Sequence, residues 1–146
     1  MNKRQTETQE RIRTAFASLM KSKTLPEITV TELCEQADVN RSTFYAHYDD
    51  INELATKFCR SVEKQTAEIP HEADDYTWLF QYVSEQRELF SVYFKIGMPP
   101  EADSYKAAFF RRGLYSVVKS WFEGGCQESV DTMNRIIQTV NTPITF

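Results

Sequence analysis

"TVTELCEQADVNRSTFYAHY", residues 29–48, holds two short apolar patterns separated by a polar break. Thr29 stands three residues ahead of Glu32, the spacing of a capping box, and so marks a helix start. Ile28 and Leu33 are placed to staple that start from either side. Asp38–Val39–Asn40 reads as a turn, and Asn40 suits the cap of a second short helix running through Tyr48. Val39 and Phe44 are expected to face inward, onto Leu33, Ala37 and the helix before them. That leaves Asn40, Arg41, Ser42, Thr43, Tyr45 and His47 pointing outward. Such a segment is too polar for a core helix and too aromatic for an ordinary solvated loop.

Outward from this stretch the chain reads as helices throughout. Upstream, "ERIRTAFASLMKSK" (residues 10–23) sets Ile12, Phe16, Leu19 and Met20 on one face of an amphipathic helix, and Pro26 breaks it. Downstream, Ile51, Leu54, Ala55, Phe58 and Val62 predict a longer helix to about residue 67. Pro70 and "HEADD" (residues 71–75) separate it from a stripe of Tyr76, Leu79, Phe80 and Val83, then a segment around Phe90, Tyr93 and Phe94. "GMPPEAD" (residues 97–103) is a further break. Phe110, Leu114, Val117, Val118, Trp121 and Phe122 stripe the next helix, which Gly124–Gly125 end; Ser129 caps a last one with Met133, Ile136, Ile137 and Val140. Gly113 in mid-helix costs about 1 kcal/mol against alanine, which predicts a close helix–helix crossing there. No β alternation and no internal repeat is visible, so the fold class is all-α with roughly eight helices.

Composition narrows the function. The chain has 146 residues, 41% hydrophobic and 26% charged, an ordinary globular balance. A net charge of −4 argues against indiscriminate nucleic-acid binding, yet residues 1–24 hold Lys3, Arg4, Arg11, Arg13, Lys21 and Lys23 against Glu7 and Glu10. Taken alone, that basic segment reads as a solvated helix face. Cys34, Cys59 and Cys126 form no CxxC pair, which fits no disulfide framework and no zinc site and suits a reducing cytosol; Cys126, beside two glycines, is the thiol expected to be exposed. No apolar run approaches a membrane span and the N-terminus is no signal peptide, so a cytoplasmic protein without a membrane partner is expected. His47 and His71 are the only imidazoles, and neither belongs to a nucleophile motif. With no phosphate loop and no metal-ligand spacing, no enzyme, cofactor, metal or catalytic residue is expected.

Two short helices joined by a tight turn make a helix-turn-helix, whose second helix enters the DNA major groove. Arg41 can donate two hydrogen bonds to a guanine edge, and Thr43 can meet a thymine methyl or a base edge. Tyr45 and His47 either reach phosphate oxygens or merely cover the core; Tyr48, four residues past Phe44, is read as core. The segment "ITVTELCEQADVNRSTFYAHYDDINEL" (residues 28–54) resembles the helix-turn-helix of the tetracycline-repressor-like family of bacterial transcription regulators, and the likeness extends over roughly residues 8–67. The resemblance implies a homodimer on a palindromic operator, with Thr31, Arg41, Ser42, Thr43, Tyr45 and His47 where that family contacts DNA. Asn40 and, from the basic segment, Arg4 complete the expected DNA-binding set. Two positions depart from the family pattern. Asp38 stands where the turn usually has glycine, which aspartate tolerates at moderate cost. Ile51 stands where a lysine often grips phosphate, so one such contact is expected to be missing.

The expected organisation is therefore an N-terminal three-helix DNA-binding domain, residues 1–67, joined by a long helix to a C-terminal helical domain, residues 68–146. Residues 72–146 carry 14 of the 19 aromatic residues, enough for a helical core and for the walls of a pocket for a small apolar effector. The stretch 109–133 is similar to the C-terminal domain of a subgroup frequent in low-GC Gram-positive bacteria. The broad apolar stripes of the last two helices predict a four-helix dimer seam through Phe110, Leu114, Val117, Trp121, Met133, Ile137 and Val140. The expected function is a DNA-binding regulator, a repressor released by an effector; the alternative is a protein-interaction module or coactivator that works through a partner protein without a ligand.

Overall fold

The computed structural model describes residues 2–99 and 104–140. Their regular structure is entirely helical: α1 (Lys3–Met20), α2 (Val30–Ala37), α3 (Arg41–Tyr45), α4 (Ile51–Ala67), α5 (Thr77–Glu85), α6 (Arg87–Ile96), α7 (Tyr105–Glu123) and α8 (Val130–Val140), with a single 3-10 turn at Leu25–Glu27. The break expected at 97–103 is non-helical over 97–99, and the rest of it lies outside the described residues.

The helices form two compact units, residues 2–64 with 91–99 and residues 65–90 with 104–140. A linear boundary near residue 67 misses the return of 91–99 to the first unit. Side chains explain it. Val92, Tyr93 and Phe94 are buried, the Tyr93 hydroxyl donates to Glu63 Oε1 at 2.6 Å, and Lys95 Nζ donates to the Met20 carbonyl at 2.6 Å.

In the first unit the α1 stripe is buried as the periodicity predicts, with Phe16 edge-on to Phe58 at 5.6 Å. Leu33, Phe44 and Leu54 add fully buried side chains from α2, α3 and α4. The capping box lies one segment earlier than expected. Thr24 N–H donates to Glu27 Oε2 at 2.7 Å, and this bond with the Thr24 hydroxyl holds the Glu27 carboxyl below its usual range. Thr29 does cap α2, accepting from Glu32 N–H at 3.2 Å, but the Glu32 carboxylate turns away to Lys23 at 2.5 Å.

In the second unit α5 packs against α7 and α8. Phe80 lies edge-on to Trp121 at 5.2 Å, and Val83, Val118, Met133 and Ile137 are buried with them. Trp121 Nε1 donates to the Glu128 carbonyl at 3.0 Å, and Asn134 Oδ1 accepts from Tyr76 N–H at 2.8 Å. Ser129 caps α8 through Thr132 N–H, as expected.

Two expectations for this unit are corrected. A Cβ at Gly113 would meet nothing within 4 Å, so no close helix crossing uses that glycine among the described residues. Trp121, Met133 and Ile137, expected in a dimer seam, are each 5% exposed and pack inside their own chain. A helical stripe shows which residues avoid water, not whose surface they meet. Of that set, Val140 is largely exposed at 71%, Phe110 at 37%, and Leu114 and Val117 are half-buried.

Candidate functional site

The site grows from the turn between α2 and α3. Asp38 takes the left-handed conformation, φ 52° and ψ 53°, and its N–H and that of Val39 return to the last turn of α2. The turn is braced from α1, where Arg11 donates to the Asp38 carbonyl at 2.5 Å and to its carboxylate at 3.0 Å. Asn40 then starts α3. Its Oδ1 accepts from Thr43 N–H at 2.9 Å, from the Thr43 hydroxyl at 2.6 Å and from the Ser42 hydroxyl at 2.8 Å. Three bonds on one oxygen fix the first turn of a helix too short to hold itself.

The helix ends at Tyr45, three residues before the expected end at Tyr48. His47 N–H and Tyr48 N–H both turn back to the Phe44 carbonyl, which tightens the chain and closes the element. Phe44 anchors the inner face at 0% exposure, and Tyr48 is buried against it as the sequence predicts. Burial pushes the Tyr48 phenol above its usual pKa.

The outer face gathers three of the expected residues into one group. Arg41 donates to the Thr31 hydroxyl at 3.3 Å and to the Tyr45 hydroxyl at 3.5 Å, with its guanidinium 5.9 Å from the Tyr45 ring centroid. Tyr45 is 47% exposed, a large aromatic left in water on a helix whose opposite side is core. Both Arg41 bonds are long, so the guanidinium is oriented without being tightly held. Asn40, Ser42 and Thr43 form a second group, whose hydroxyls already donate to the cap.

The other expected residues stand apart. His47 is half-buried, with Nδ1 3.3 Å from Gln9 Nε2 of α1 and its carbonyl accepting from Lys57 at 3.2 Å. Arg4, exposed in the first turn of α1, makes no hydrogen bond or ion pair to these side chains among the described residues. Ile51, the first residue of α4, is half-buried. The basic segment is partly neutralised: Arg11 pairs with Asp38, Arg13 with Glu10 and Lys23 with Glu32. Gln9, Arg11 and Lys57 were invisible as site residues in the sequence, because nothing in α1 or α4 alone shows which side chains reach α3.

Comparison with protein-family models, with curated proteins and with solved structures finds no match for this chain.

Proposed function

We propose that the chain is a sequence-specific DNA-binding transcriptional regulator of the tetracycline-repressor-like type, with α2, the turn and α3 as a helix-turn-helix. The observation that carries this reading is the exposed Thr31–Arg41–Tyr45 group, held outward by a short helix whose other face is locked by Phe44. Arg41 would read a base edge in the major groove, while Tyr45 and Thr31 would fix the register on phosphate oxygens. A five-residue recognition element offers few contacts, so two copies on an inverted repeat would be needed for tight binding. Support for a homodimer comes from the apolar side chains that α7 and α8 leave in water, among them Phe109 at 81% and Val140 at 71% exposed. A small apolar effector has a place in the groove of about 560 Å³ in the second unit, whose walls include Val117, Trp121, Met133 and Ile136.

The alternative, a module that works through a partner protein, draws on the same exposed aromatics, Phe109 and Tyr105, the latter 99% exposed. Selection of bound fragments from random duplex DNA separates the two, since the first reading requires an enriched inverted repeat and the second requires none. On the selected site, Tyr45→Ala is expected to weaken binding by about 1.5 kcal/mol, a little over tenfold, with the melting curve unchanged. Undiminished affinity in that variant, measured by fluorescence anisotropy, would remove α3 from the interface.

A further inference from the structure

A recess of about 230 Å³ opens in the first unit on the side of α1 that faces α4. Its size is below that of drug-sized pockets, which suits a ligand of a few heavy atoms around one ring. The floor is apolar: Leu54, Phe58 and Tyr48 are at most 5% exposed. Its walls bring two cations together, Arg13 of α1 and Lys57 of α4. Arg13 lies with its guanidinium 5.7 Å from the Phe58 ring centroid, and its Nε–H is buried without a hydrogen-bond partner among the described residues. An unpaired buried donor on a charged group is costly and normally finds an acceptor. The neighbouring carboxylate, Glu10, is a poor one: it stands 3.9 Å from Arg13 Nη1, with 67% of its side chain exposed. Lys57 gives two of its three donors to Glu53 at 3.0 Å and to the His47 carbonyl at 3.2 Å, which leaves one for the recess.

We infer that this recess binds a small carboxylate with an apolar body, its charge held by Arg13 and Lys57 and its body resting on Leu54 and Phe58. A carboxylate would pair with the outer guanidinium nitrogens of Arg13, whose side chain is 27% exposed, and would displace the loose Glu10 contact to Nη1. Gln9 forms part of the wall and is hydrogen-bonded to His47, so an occupant would sit directly behind the end of α3. A consequence for DNA affinity rests on the proposed function; the binding itself does not.

Calorimetric titration of the full chain with sodium benzoate, in the absence of DNA, tests the site. The expected result is one benzoate per chain, at least tenfold weaker binding in Arg13→Met, and tighter binding in Glu10→Gln as the competing carboxylate is removed. Benzamide, with the same ring and no charge, is expected to give no heat. If Arg13→Met melts before the parent, Lys57→Met replaces it and is also expected to bind more weakly. No binding at millimolar benzoate, equal binding of benzamide, or unchanged affinity in the folded cation variant would overturn the assignment. Repeating the titration with operator DNA present asks the separate question of coupling to α3.

Discussion

At the scale of single residues, Asp38 is governed by its backbone conformation and Cys59 by its burial. Asp38 sits at φ 52° in the turn that sets α3, where a β-branched side chain would collide with its own backbone. Asp38→Val is therefore expected to lower stability by about 1–2 kcal/mol. Asp38→Gly should hold or raise it, because the lost ion pair to Arg11 is exposed and such pairs contribute about 0–1 kcal/mol. Chemical denaturation of both variants checks the contrast. Cys59 is buried, which pushes its thiol from near 9 up to about 12. With the folded pKa raised, the contribution is complete below pH 9 and is lost as pH rises toward 12, since the unfolded thiol releases its proton first. The stability gap between the parent and Cys59→Ala should thus hold up to about pH 9 and narrow as pH rises above it. A gap that stays constant would place the Cys59 thiol in contact with water.

At the scale of elements, α3 and α7 represent opposite solutions. α3 has five residues and depends on the Asn40 cap, the Phe44 anchor and the brace from α1. α7 has nineteen residues and tolerates an exposed glycine in its middle, because length and the burial of Val118 and Trp121 hold it. Gly113→Ala is expected to raise the melting temperature, by about 1 kcal/mol of stability, since the new methyl meets nothing within 4 Å among the described residues. The same substitution reports on assembly. If a second copy crosses α7 at Gly113, the methyl would push the helices apart and the gain would turn into a loss that depends on protein concentration.

At the scale of the whole molecule, the apolar surface of α7 and α8 divides into residues that fold the second unit and residues left in water. Ile137→Glu puts an unpaired charge at a position 5% exposed and is expected to unfold that unit, at a cost of several kcal/mol. It cannot serve as a test of dimerisation. Phe109→Glu alters a side chain 81% exposed and should leave the fold intact while converting dimers to monomers. Light scattering at micromolar concentration, paired with circular dichroism, reads both outcomes. A parent chain that is monomeric there would set the homodimer aside and leave Phe109 to a different partner.

The sequence by itself determined the all-helical class, the positions of nearly every helix, a turn at Asp38–Val39–Asn40, the caps at Thr29, Asn40 and Ser129, and the inward Phe44. These follow from periodicity, capping chemistry and steric limits, which act over a few residues and are written locally. The tertiary structure alone decided the rest. It returned residues 91–99 to the first unit, placed Trp121, Met133 and Ile137 inside their own chain, ended α3 at Tyr45, and joined Arg41 to Thr31 across ten residues of sequence. It also brought Arg13 and Lys57 to one recess from two helices. An apolar stripe or a charged side chain carries no address. Its partner is selected when all helices compete to bury their surfaces at once, and that competition is settled only in the folded chain.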